Sequence, residues 1–523
     1  MSVVVWGWIF LVGYTAMMLA LGVVGMRRTK SSDDFATARG AYGGLVLGLS
    51  YMAMVASGST FLGIPGLAYE SGFKAGYYPM LYPIGIYLGT MLVVRHMKRL
   101  GDRLHSQTVP DFLGDIYRSP VLRAIAALIS LFLIYYVMAQ LAASGQMFET
   151  ILGIPYNVGV WVAIGIVMVY MIMGGSHSDI ITDAIQGLFM LVVAAFVIVA
   201  FLVGAGVEGF GPAAVNDALP AKMQWDVHTD PANPTFSSWW VIVLLLIAHF
   251  GFFTLPHLGN KFFALRGTGQ ARKFVLMSSI VGLAVGFLFL GGVLGRAMGI
   301  EDIHPDAVIP SMLTALLPAW TAALLSVAVL SAIISTTDGL LMSISQLAAN
   351  DLYRKTWIPW RGKDPESPQV DKRALLIGRI GIVVAGVVAG IAVYSPPELL
   401  SILLWVGIGG IIATLSGPMF LAIFWRRRAN KTGAIAGGLL TFAFYFFIHL
   451  GPQFGMYEGF YPFNQNPFAS TGVACILGIV LCAGISLLGK PLPADHLAML
   501  DQAESGDERD GAAGDAAHRA KAG

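Results

Sequence analysis

Apolar residues come in long blocks separated by short polar ones, and block length is the first structural signal. Thirteen such runs lie at about 3–25, 42–70, 77–95, 122–150, 157–175, 180–205, 237–257, 273–298, 312–347, 375–394, 397–424, 433–450 and 470–488. Helices of this length rise about 1.5 Å per residue and cross a hydrocarbon core about 30 Å thick. The pattern therefore predicts an all-α membrane protein of about thirteen transmembrane helices. Two of the runs carry an internal flaw. "SGSTFLGIPG", Ser57 to Gly66, interrupts the second, and "HFGFFTLPH", His249 to His257, interrupts the seventh. Gly and Pro break helices, and unwound backbone survives in hydrocarbon only where it lines a cavity or an ion site. The flawed runs are five apart, so they cross the membrane in opposite senses, as an inverted repeat of five helices would. Paired interruptions of that kind point to a transporter binding site. Close helix packing through Gly and Ser is the plainer explanation.

Composition supports the membrane assignment. Of 523 residues 56% are hydrophobic and 12% charged, with a mean hydropathy of +0.72. That is too little charge to cover a soluble surface, and it leaves no room for a large soluble domain. Basic residues gather in alternate loops: Arg27, Arg28 and Lys30; Arg95, Lys98, Arg99, Arg103, Arg118 and Arg123; Lys261, Arg266, Arg272 and Lys273; Arg354, Lys355, Arg361, Lys363, Lys372 and Arg373; and Arg426, Arg427, Arg428 and Lys431. The positive-inside rule then places the N-terminus outside and the C-terminus in the cytoplasm, as an odd number of spans requires. The first run has no basic residue before it and no small-residue cleavage site after it, so it reads as a retained span. Cys475 and Cys482 read as core residues. The outer loops near 206–236 and 451–468 read as short helices or a lid, and the Ala-, Gly- and acid-rich tail as solvated and disordered.

Candidate chemistry centres on the ninth run, "SAIISTTDGLLMSIS" from Ser331 to Ser345. A hard cation such as sodium needs several oxygen ligands. Carbonyls freed from an unwound helix and two hydroxyls on a facing helix would supply them. Hydroxyls that merely satisfy their own helix are the alternative, but the neighbouring Asp338 is an intramembrane carboxylate and so a functional candidate. Asp183, in "GGSHSDIITDAIQG", is the second. Asp179, one turn earlier, reads as an interfacial residue that favours its helix N-terminus.

Four blocks in order give this chain its resemblance: Gly63-Ile64-Pro65-Gly66; Gly174-Gly175 through Thr182-Asp183 and Gln186; Pro256-His257 through Phe262, with Lys261 where Arg is usual; and Ala332, Ser335 and Thr336 followed by Asp351-Leu352-Tyr353. The chain resembles the sodium:solute symporter family, and most its pantothenate and monocarboxylate branch. The resemblance implies a five-plus-five inverted-repeat core at 37–431, preceded by a first helix and linker at 1–36. Two further helices follow at 432–490 and a cytoplasmic tail at 491–523. It implies a sodium site from the carbonyls of Ala53, Ala56 and Ala332 and the hydroxyls of Ser335 and Thr336. Asp183 would lie on the ion's release path, and Asp338 could join it at a second cation. Ser176 and His177 stand near where relatives often carry a basic residue. Ser57, Ser59, Tyr136, Gln140, Ala248, Phe252 and Pro256 would line the solute site. Ala248 and Phe252 depart from the larger or more polar aromatics of the sodium/proline symporters, which favours a wider or more extended solute. With no Arg or Lys expected inside the core spans, an anion would rest on half-helix N-termini, hydroxyls and sodium. His249 reads as a core histidine or an auxiliary contact.

These features predict a sodium-coupled importer of a small organic solute, a monocarboxylate or pantothenate-like anion, in the cell membrane. Proton coupling, or uptake of an amino acid or sugar, is the alternative on the same fold. A membrane enzyme would need a metal-ligand cluster or an activated nucleophile, and no HExxH or GxSxG lies in a span. A channel would need a filter repeat or pore helix. Nothing suggests a nucleic-acid partner.

Overall fold

A computed structural model describes residues 1–29, 32–395 and 400–505. Lys30, the opening of the predicted eleventh span at 397–399 and the tail from 506 onward lie outside them. The described residues form helices and no strand, with one isolated bridge between Tyr42 and Leu265. Ten helices are long and apolar enough to cross a membrane, or eleven if the pair Trp239–Thr254 and Pro256–Ala264, bent by 59°, forms one span.

Two of these segments are far longer than a bilayer is thick. Ser59–Leu104 has 46 residues and Tyr156–Val203 has 48, roughly 70 Å each at helical rise. Each contains a glycine with left-handed backbone, Gly72 (φ 71°) and Gly175 (φ 55°, ψ −145°). A Cβ at Gly175 would stand 2.6 Å from the Phe35 carbonyl oxygen, so only glycine fits that break. Gly72 falls in the predicted loop between 70 and 77, and Gly175 is the last residue of the predicted span 157–175.

Burial divides the helices into centre and rim. The most apolar windows of Leu403–Phe424 and Ala319–Trp360 are 89% and 72% buried, whereas that of Val3–Arg28 is 28% buried. The outer helix turns Val5, Trp8, Ile9 and Val12 outward, the side-chain set that lipid solvates. At the centre, Gly44–Val55 and Ala319–Gln346 carry the polar residues of the candidate site. Cys475 and Cys482 are buried and free.

The loops at 206–236 and 451–468 contain the helix Gly211–Asp217 and two 3-10 turns, Ala221–Met223 and Gly451–Phe454. Lys74 pins the first loop through the Lys222 carbonyl and Asp230, and the two loops meet where Asn466 donates to the Pro234 carbonyl. The expectation of disorder from 491 is corrected for its first part. Residues 494–505 are helical, Leu500 is fully buried, and Arg426 pairs with Asp501 and Glu504. Two leucines in an Ala-rich stretch suffice because the chain docks on an existing basic surface.

Candidate functional site

The flaw in the second run is a real break. Gly44–Val55 ends at Ala56, whose ψ of 70° leaves the helix, and a π-turn at Ser59–Gly63 leads into Ile64–Ser71. The Gly58 N–H donates to the Gln140 Oε1 at 2.8 Å. A Cβ on Gly58 would lie 2.9 Å from both Ala143 Cβ and that oxygen, so glycine allows the close approach.

Ala319–Gln346 faces this break. Ser335 Oγ reaches the Ala53 carbonyl at 3.2 Å and the Ala332 carbonyl at 3.0 Å. Thr336 Oγ1 lies 3.4 Å from the Met54 carbonyl and 3.3 Å from that of Ala332. All are buried. Three carbonyls and two hydroxyls thus converge from two helices, a set of hard oxygen donors with no nitrogen or sulfur, which suits a small monovalent cation. The structure brings together Ala53, Ala332, Ser335 and Thr336 as predicted and adds Met54. Ala56 forms the break itself, and among the described residues no hydrogen bond links it to the hydroxyl pair.

Beside these residues lies a cluster of three buried carboxylates, Asp179, Asp183 and Asp338, with oxygens within 4.8 Å of one another. Asp338 is held by the Tyr170 hydroxyl at 2.7 Å and the Gly339 N–H at 2.8 Å. Asp179 is not interfacial: its side chain is 7% exposed and pairs with Lys261 at 2.9 Å. Lys261 also meets Asp183 Oδ2 at 2.5 Å and Ser50 Oγ at 2.7 Å. The expectation of no lysine within the core is therefore corrected. The short helices Pro256–Gly259 and Lys261–Ala264, which follow the extended Leu255, turn this residue inward. A basic residue just past an apolar run looks like a loop charge, and only the bend reveals otherwise.

The predicted solute-site residues Ser57, Ser59, Tyr136, Gln140, Ala248, Phe252 and Pro256 are all buried around the two breaks. Gln140 Nε2 has no partner among the described residues. Tyr136 packs edge-on against His257 with ring centroids 5.4 Å apart. His249 lies within an aromatic box: Trp405 at 4.7 Å, Phe252 at 4.9 Å, Tyr78 at 5.3 Å and Tyr82 at 5.7 Å. Its Nδ1 must donate to the Leu245 carbonyl at 2.7 Å, which leaves Nε2 as an acceptor without a described partner. Tyr78, Tyr82 and Trp405 escaped sequence reasoning because aromatics inside apolar runs look like ordinary core.

A second group of charged side chains packs where the helices Val109–Ile116 and Pro120–Ser130 meet the π-helical stretch Leu347–Trp357. Asp111, fully buried, sits between Arg123 (3.0 Å) and Lys355 (2.7 Å), while Thr108 bonds Asp351 at 2.8 Å. Burial, followed by the neighbouring Asp111, pushes the nearby Asp115 carboxyl up to about 6. Arg39 ties Asp33 to the Ser106 carbonyl.

The model of the sodium:solute symporter family matches residues 35–441. The sodium/pantothenate symporter of Escherichia coli K12 is 27% identical over 440 residues, covering 82% of this chain and 88% of its own. The high-affinity proline transporter PutP of Bacillus subtilis is 24% identical over 438 residues, with 80% and 87% covered. Among solved structures, a substrate-bound, outward-open Na+-coupled sialic acid symporter superposes with a TM-score of 0.75 at 20% identity, covering 93% of this chain and 98% of that one. A closed nucleobase-cation-symport-1 family transporter gives 0.53 at 14% identity, with 90% and 98% covered.

Proposed function

The chain belongs to the sodium:solute symporter family, and from that premise we propose that it imports a small monocarboxylate or pantothenate-like anion together with sodium. The observation that carries the proposal is the convergence of the Ser335 and Thr336 hydroxyls on carbonyls at the broken end of the Gly44–Val55 helix. Sodium would be held by Ala53, Ala332, Ser335 and Thr336, with Ala56 or Met54 completing the shell. Bound there, the ion fastens the second run to the ninth and shapes the solute site beside the break. Asp183 and Asp338 lie on the ion's cytoplasmic release path.

Crossings number thirteen when Gly72 and Gly175 divide the two overlong segments and the bent pair Trp239–Thr254 and Pro256–Ala264 counts as one span. The broken second and seventh runs are then counterparts in a five-plus-five repeat, with the N-terminus outside. Solute recognition falls to Ser57, Ser59, Tyr136, Gln140, Ala248, Phe252 and Pro256. Gln140 Nε2 offers a donor and His249 Nε2 an acceptor. That pairing suits a solute bearing a hydroxyl or amide as well as a carboxylate. A thermal-shift screen of pantothenate, lactate, propionate, proline and glucose, each with and without sodium, tests this reading. A sodium-dependent shift with pantothenate or a hydroxy acid supports it, and a shift with proline or sugar alone contradicts it.

A further inference from the structure

Lys261 is the buried cation that sequence reasoning missed, and its surroundings resemble the coordination of an ion. A lysine ammonium has three protons and no acceptor. All three directions are taken by oxygens: Asp183 Oδ2 at 2.5 Å, Ser50 Oγ at 2.7 Å and Asp179 Oδ2 at 2.9 Å. These carboxylates and Asp338 bring their oxygens within 4.8 Å of one another. We infer that the Lys261 ammonium is the resident cation of this three-carboxylate site, held there in place of a second metal ion, so that one sodium ion rather than two accompanies each solute. The inference rests on the sodium-symport reading above and fixes its stoichiometry.

The geometry favours exclusion over sharing. A hard cation bound to any oxygen of Asp179 or Asp183 would lie close to Nζ, which contacts one oxygen of each at 2.9 and 2.5 Å. It would stand against a like charge in a region with little screening. The ammonium is compact enough to sit among the oxygens, where a planar guanidinium could only straddle them. Yet the site's ligand capacity is not exhausted. Asp179 Oδ1 and Asp183 Oδ1 are buried with no described partner. A cavity of about 20 Å³, lined by Asp179, His257, Lys261, Gly339 and Ser343 among others, opens beside Asp179 and Lys261. Removing the ammonium therefore leaves three carboxylates, free oxygens and a water-sized void, which together can accept a sodium ion.

The consequence is a voltage rule. One sodium moved with one monoanion carries no net charge, so accumulation follows the sodium gradient alone, and the membrane potential drives uptake only if a second cation joins.

The test is the number of radioactive sodium ions bound per polypeptide of the purified full-length protein. Wild type is expected to bind one. Lys261→Ala is expected to bind two, and millimolar ethylammonium should displace the second while leaving the first. If removing the lysine alone prevents folding, Lys261→Ala/Asp179→Asn keeps the local charge balance and should still bind two, the second more weakly. Two ions in wild type, or one in every folded lysine variant, overturns the inference and leaves sodium symport standing. No ion in wild type overturns both.

Discussion

Ser335→Ala removes one hydroxyl from the proposed sodium shell and changes nothing else in size or charge. In the ion-free arrangement the Ser335 hydroxyl, fully buried, bonds the Ala53 and Ala332 carbonyls at 3.2 and 3.0 Å. Losing one such neutral bond costs about 0.5–1.5 kcal/mol of stability. With sodium bound, the loss is of a dipole facing a charge, about 1.5–3 kcal/mol. The change in affinity is the difference between the two, about 1–1.5 kcal/mol, so at 1.4 kcal/mol per decade the half-saturating sodium concentration should rise roughly 5- to 12-fold. Maximal uptake at saturating sodium should change little. By linkage, solute affinity at low sodium should fall and recover at high sodium. Thr337 is the internal control. It is one residue further on and equally buried, but its hydroxyl turns back to the Ile333 carbonyl at 2.7 Å. Thr337→Ala should leave the sodium curve within about twofold, since helix back-bonding hydroxyls add little. The assay is sodium-dependent uptake, or sodium-induced thermal shift, across the three proteins. Equal curves for wild type and Ser335→Ala, or equal displacement by both variants, would refute the assigned shell.

Other substitutions probe other parts of the account. Gly58→Ala places a Cβ 2.9 Å from Ala143 and Gln140. Overpacking of this kind costs about 1–3 kcal/mol, so solute binding measured by thermal shift should weaken 5- to 100-fold. Asp306, in the 3-10 turn Pro305–Ala307, is fully buried and accepts the Leu400 N–H, and burial raises its carboxyl to about 7. Because the native state holds the proton more tightly, stability should fall as pH rises from about 4 to about 7, by at most about 4 kcal/mol. Asp306→Asn should abolish that slope in melting curves, so a slope retained in the variant would sink the assignment. Asp111→Asn leaves Lys355 and Arg123 without their shared buried partner, a change that costs about 3–5 kcal/mol. A cysteine introduced beside this charged group should then label faster, and unchanged labelling would show that these ion pairs do not hold that end of the protein closed.

Parts of the molecule are legible in the sequence because their physics is local. The break after Ala56 follows from Gly, Ser and Pro gathered in an apolar run, and the hydroxyl pair stands out because Ser335 and Thr336 lie beside Asp338 in hydrocarbon. Lys261 was hidden because its meaning depends on the extended Leu255 and a bend that no periodicity announces. Asp179 was misplaced for the same reason, since its partner is that lysine. Trp405, Tyr78 and Tyr82 gain a role only by meeting His249 from other helices. The docked helix at 494–505 depends on Arg426, distant in sequence.

The most direct measurement is uptake of the solute selected by the thermal-shift screen into proteoliposomes, with an inward sodium gradient or with all sodium replaced by choline. The account predicts concentrative uptake with sodium and only passive equilibration with choline, even when a proton gradient is supplied. Concentrative uptake in choline driven by protons alone would contradict it.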